Sequence, residues 1–259
     1  MVRDDLPTLA AIGVLAALTA TVSHEVVGHG LGCLAVGGDI RLITTIFFRC
    51  TGGNAVTDLG GPLGNLAVGL VALSLTANRR IVFGEMRLFL LLTGGLALFW
   101  FFAQLVVDGL AATDDWNFAA GQLGWPPSWR VFAVGVGIAG YDLTRRGLTR
   151  GMRTLSTGQD RAGDRRRFLM PWLGGLVALT ASAALFAGDR TGGILDTALT
   201  LGAMPLGLWL AVMLAGRLGP TGESPAPATP RRWSWIIAAV IAYVAFCLTV
   251  GPGLGTGPL

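Results

Sequence analysis

Apolar residues come in long blocks separated by short polar stretches, the pattern of a chain that crosses a bilayer repeatedly. Seven blocks are predicted as helices: Leu9–Leu34, Leu59–Thr76, Leu88–Leu110, Trp125–Leu143, Phe168–Ala187, Ile194–Ala215 and Trp233–Val250. Each approaches the length that a ~30 Å hydrocarbon core requires. Between the first and second blocks the pattern changes. Ile40–Cys50 is β-branched and aromatic, and Thr51-Gly52-Gly53-Asn54 reads as a turn. That predicts a short hairpin-like insertion folded against the membrane face. The expected fold class is an all-α polytopic membrane protein with about seven transmembrane helices and this one insertion.

The polar stretches alternate in charge. Asn78–Arg87 carries Arg79, Arg80 and Arg87; Arg145–Arg167 carries eight arginines; Arg217–Arg232 is Pro-rich and basic. With seven spans these three loops share one side, and Asp114, Asp115 and Asp189 lie on the other. The positive-inside rule then puts the N-terminus in the cytoplasm and the C-terminus outside. The expected location is the plasma membrane. The basic loop also divides the chain: a four-span core over 1–144, the loop over 145–167 and a three-span accessory region over 168–259.

Composition agrees with the pattern. The chain has 259 residues, 53% of them hydrophobic and only 13% charged, which excludes an ordinary soluble domain. Every basic residue is arginine, so the net charge of +4 belongs to the loops. No basic stripe with interleaved aromatics occurs, and nucleic acid is not an expected partner. Cys33, Cys50 and Cys247 are too few and scattered for a disulfide framework, and Cys33 reads as a small buried hydrophobe. Trp125, Trp129 and Trp233 sit at span ends as interfacial anchors. The first block lacks a signal-cleavage site and is expected to be retained.

The chemistry lies inside that first block. His24-Glu25-Val26-Val27-Gly28-His29 contains both histidines of the chain beside a carboxylate. Ionisable groups at membrane depth mark functional sites. Imidazoles suit zinc, and a neighbouring glutamate suits proton transfer. The spacing leaves two geometries open. On a regular helix His24 and His29 diverge by about 140°. A π-bulge, which Gly28 favours, would return them to one face. Without it, Glu25 and His29 face each other at i and i+4.

A catalytic zinc site needs a third protein ligand. Asp108 is the first choice. It lies about 30 Å into the third span, and His24 and His29 lie about 22 and 30 Å into the first, at 1.5 Å per residue. Asp114 and Asp115 are reserves that a re-entrant loop would return. Gln104 faces the same way as Asp108. Gly60-Gly61-Pro62-Leu63-Gly64-Asn65 opens the second span. Pro62 suits a first turn, the glycines permit close helix contact, and Asn65 offers a hydrogen bond to a substrate backbone or an oxyanion.

The ordered set resembles the site-2 protease family of intramembrane zinc metalloproteases. The counterparts are His24-Glu25…His29, the Ile40–Asn54 stretch, Gly61-Pro62-Leu63-Gly64-Asn65 and Asp108-Gly109, spanning about the first 120 residues. The resemblance implies Zn2+ held by His24, His29 and Asp108, Glu25 as the base, and Asn65, Gly61 and Pro62 positioning a membrane-protein or membrane-peptide substrate. Two departures stand out: one extra residue between the histidines, and no Asn or Pro before Asp108. A zinc hydrolase acting on a lipid amide or ester is the first alternative. A non-catalytic membrane binding protein derived from the protease fold is the second.

Overall fold

A computed structural model describes residues 4–77, 84–156, 161–218 and 227–255. Arg79 and Arg80 lie outside the described residues. The chain is mostly helical. Helix α1 (Leu6–Thr21) begins where Asp5 accepts hydrogen bonds from the Thr8 amide and hydroxyl, with a proline in its first turn. It runs without a break into a π-helix (Val22–His29) and then α2 (Gly30–Ala35). Strands β1 (Asp39–Ile43) and β2 (Phe48–Thr51) pair antiparallel. The bend between them is fixed by Thr44, whose hydroxyl oxygen accepts from the Phe47 amide at 2.8 Å. Thr51–Asn54, read from the sequence as the turn, instead leads into α3 (Ala55–Ala77), where Asn54 caps the helix through its side chain to the Val56 amide. Helix α3 therefore starts earlier than expected, and Pro62 lies in its interior, not in its first turn.

The rest is helical: α4 (Gly84–Ala111), α5 (Asp114–Gln122), α6 (Trp129–Arg153), α7 (Arg161–Ala183), α8 (Arg190–Ala198), a π segment (Leu199–Ala203), α9 (Leu206–Leu218) and α10 (Trp233–Leu248). Among the described residues, four helical stretches are long and apolar enough to cross a membrane: Leu6–Ala35, Ala55–Ala77, Gly84–Ala111 and Arg190–Ala215. The other three expected spans fall in α6, α7 and α10. Helix α6 carries Arg130 at its start and four arginines near its end, α7 carries arginines at its start, and α10 is apolar but only 16 residues long.

One apolar core joins α1, α4, α6, α7 and α9 through Leu9, Ile12, Phe99, Leu148, Phe168 and Leu208. Backbones approach closely where side chains are absent. A Cβ on Gly13 of α1 would fall on the carbonyl of Pro171 in α7. Gly13→Leu is therefore expected to destabilise the chain by at least about 1–3 kcal/mol, the usual cost of overpacking. The readout is the thermal midpoint in detergent beside Gly147→Ala, a helical position with open space around it. Equal midpoints would show that the α1–α7 contact contributes little.

At one end of the bundle the polar loops meet. Buried Arg167 donates to both carboxylate oxygens of Asp4, to the Leu155 carbonyl and to the Pro227 carbonyl. Arg232 pairs with Glu85 at 2.9 Å. Asp4 and the described edges of the three basic loops, at Glu85, Leu155, Arg167, Pro227 and Arg232, thus share that end. Toward the other end lie the hairpin and a disulfide between Cys33 and Cys50. The sequence had suggested a free, buried Cys33; the pairing arises because β2 folds back onto α2.

Candidate metal centre

The six-residue frame from His24 to His29 makes sense only on the π-helix. Hydrogen bonds closed over five residues stack positions i and i+5. The two rings stand 4.8 Å apart, edge to face. His24 Nε2 lies 3.2 Å and His29 Nε2 3.3 Å from the same atom, Oδ2 of Asp115. The wide turn thus brings both imidazoles together, and His24, His29 and Asp115 form a compact group whose ligand atoms all lie within 4.8 Å.

Asp115 reaches the group by a chain reversal. Helix α4 ends at Ala111, and Ala112 and Asp114 adopt left-handed conformations, φ 54° and 64°. These are strained for residues with a Cβ. They send α5 back against α3 and α4. Asp108 stabilises the reversal: its Oδ2 accepts from the Trp116 amide at 3.1 Å. Gln104 donates to Asp115 Oδ2 at 2.8 Å and to Asp114 Oδ2 at 3.2 Å. Gln122, at the far end of α5, donates to Asp58 of α3. The carboxylate grouped with the histidines is therefore Asp115 and not the expected Asp108. Asp108 is fully buried one step behind, tying down the segment that carries Asp115.

Helix α3 closes the other side. His29 Nδ1 lies 2.8 Å from the Thr57 carbonyl. A carbonyl only accepts, so Nδ1 carries a proton and Nε2 is the ring atom turned toward Asp115. Asn65 Nδ2 lies 3.2 Å from His24 Nδ1. A Cβ on Gly61 would fall on His29 Nε2 and within 2.7 Å of His24 Nε2. Glycine there keeps the space between the imidazoles open. Gly28 and Gly60 let the π-helix and α3 touch backbone to backbone. Trp100 stacks on His24 at 4.3 Å and Phe48 of β2 on His29 at 5.2 Å, fixing both ring planes. Pro62 is buried in α3 next to Gly61.

Glu25 is 2% exposed, and its Oε2 has no hydrogen-bond partner. Asp108 Oδ1 and Gln104 Oε1 are also buried without one. Burial raises the Asp115 carboxyl, but His29 and His24 outweigh it and hold the group below the usual carboxylate range. Asp114 is pushed up to about 6 by burial and by the Asp115 carboxylate. The arrangement favours positive charge where Asp115 and the imidazoles meet.

Two imidazole nitrogens and one carboxylate oxygen are a donor set suited to zinc. Ligand atoms about 2.0 Å from a tetrahedral centre lie about 3.3 Å apart, and the separations from Asp115 Oδ2 to the two nitrogens are 3.2 and 3.3 Å. The donor types fit the ion and two of the three separations match; the whole set spans 4.8 Å, so the imidazoles would close on a bound ion by a short movement. Ser23, Thr57, Trp100 and Phe48 were not anticipated. Ser23 adjoins the motif, but the aromatic pair carries no mark that separates it from core residues.

No protein-family model, curated protein or solved structure matches this chain.

Proposed function

We propose that the chain is a zinc-dependent intramembrane endopeptidase. The convergence of His24 Nε2, His29 Nε2 and Asp115 Oδ2 beside Glu25 carries the reading. These groups lie on or against helices apolar enough to cross a membrane. The resemblance to the site-2 protease family points the same way. His24, His29 and Asp115 would hold the metal. Zinc bound there supplies Lewis acidity toward water and a peptide carbonyl. Glu25 Oε2 takes a proton from the attacking water and delivers it to the leaving nitrogen. Gln104 and Asp108 hold Asp115 in place during the reaction. The outer edge of β2 pairs with no strand among the described residues. An unwound substrate segment would add there, next to Phe48 and His29.

The same reading takes the chain across the bilayer seven times, with N-terminus and basic loops cytoplasmic. Lipid-facing side chains on α6, α7 and α10 support the three further crossings: Val131 is 78%, Val177 66% and Leu248 76% exposed.

The test is zinc content and affinity of the detergent-purified chain. About one zinc per chain is expected. A four-ligand site's total of about 10–16 kcal/mol implies about 3 kcal/mol per ligand, so Asp115→Ala should weaken binding at least about a hundredfold. Asp108→Asn, which keeps an acceptor for the Trp116 amide, should bind within a few-fold of the parent. The reverse result returns the third ligand to Asp108. A folded parent that takes up no zinc when reloaded overturns the reading. Incubation with labelled membrane peptides should give cleavage; hydrolysis of lipid amides or esters alone would reassign the substrate.

A further inference from the structure

We propose that Asn65, backed by Ser23, is the positioning residue that presents His24 as an Nε2 ligand, so that its amide serves the imidazole and not the substrate. The inference rests on the zinc reading. It begins from a proton count. Ser23 Oγ lies 2.8 Å from the Ala20 carbonyl oxygen and 2.7 Å from Asn65 Oδ1. Both are acceptors, and a hydroxyl has one proton to give. Asn65 Nδ2 lies 3.2 Å from His24 Nδ1.

A half-turn of the Asn65 amide exchanges its oxygen and nitrogen and moves nothing else. Ser23, Asn65 and His24 Nδ1 each then have a partner, and the lone pair left on His24 Nε2 faces Asp115 Oδ2, where a bound zinc between them satisfies both. Ser23 donates to the Ala20 carbonyl, Asn65 Nδ2 donates to Ser23 Oγ, and His24 Nδ1–H donates to Asn65 Oδ1. The His24 proton is thereby fixed on Nδ1. Its Nε2, the atom 3.2 Å from Asp115 Oδ2, carries the lone pair. His29 reaches the same state through the Thr57 carbonyl. Both outer partners come from α3, so one helix sets the orientation of both rings. Ligand-bearing histidines are commonly fixed in this way, by an acceptor on the nitrogen that does not face the metal.

Burial supports the assignment. Asn65 is fully buried, with Ser23 on one side and His24 on the other. A substrate carbonyl reaching the amide would have to break the network that holds a ligand.

Zinc affinity, read by chelator competition and by the visible spectrum of the cobalt-loaded chain, tests the role. Asn65→Leu should bind about 10–100-fold more weakly. Asn65→Asp keeps an acceptor for His24 Nδ1–H and should restore affinity to within a few-fold of the parent. Equal affinity in Asn65→Leu and the parent overturns the proposal. Should the leucine variant not fold, the unaltered chain answers instead. It has only two histidines, so the imidazole nitrogen NMR spectrum of the zinc-loaded protein contains two spin systems. His24 is expected as the neutral Nδ1–H tautomer; a proton on Nε2 with a bare Nδ1 overturns the proposal. A parent that binds no zinc at all removes the zinc reading itself, an outcome distinct from equal affinity in parent and variant.

Discussion

Glu25→Gln is expected to keep about one zinc per chain while cleavage of a membrane peptide falls by about 10²–10⁴, the usual contribution of a positioned general base. Glutamine has almost the volume of glutamate, so the π-helix has no steric reason to change. Glu25 is not among the grouped ligand residues, which are His24, His29 and Asp115. The substitution removes a proton acceptor and little else. It also removes a buried carboxylate whose Oε2 has no partner. Such a group is costly to hold away from water, so the variant is expected to unfold at the same temperature or higher. Zinc by elemental analysis, thermal midpoint and cleavage rate should therefore separate: unchanged, unchanged or raised, and lost. A Glu25→Gln chain that cleaves at the parent rate would falsify the assignment of the base.

Gly61→Ala is expected to abolish both zinc uptake and cleavage. One methyl group does this because of where it lands. It would fall on His29 Nε2, 2.6 Å from His29 Cε1 and 2.7 Å from His24 Nε2. Neither ring can retreat easily. His24 is stacked on Trp100, and His29 is held by the Thr57 carbonyl and stacked on Phe48. Either an imidazole turns away or α3 moves off the π-helix. Both outcomes separate the ligands, and the overpacking itself costs about 1–3 kcal/mol. Gly121→Ala, which meets nothing within 4 Å, is the control and should keep its zinc. Full zinc occupancy in Gly61→Ala would mean that the imidazoles do not converge beside α3.

The same residues show what a sequence reveals. His24, Glu25 and His29 stand out because charge inside an apolar block has few bland explanations. Their spacing even states the problem that a wide turn solves. Asn65 and Gly61 stand out as polar and small positions at a span's entry, yet their partners do not. In the sequence Asp115 ranks behind Asp108 because a depth estimate follows a straight helix. The chain reverses at Ala112 and Asp114, and no glycine marks a left-handed turn there. Cys33 and Cys50 looked unpaired because their pairing depends on how the hairpin folds back on the helix. The stacking of Trp100 on His24 is invisible for a related reason: along the chain it is one aromatic among many in α4.

The π-helix changes what a given number of residues between two side chains means. Val22–His29 accommodates one residue more than a regular helix would need to pair the same two imidazoles. The chain beyond it stays in phase: Gly32 still meets the backbone of α3 at Val56. Val27, within the widened turn, points outward and is 45% exposed. The surplus is thus absorbed locally. Ligand spacing in this helix is a matter of angle, and two chains that differ by a residue in the string can agree in degrees.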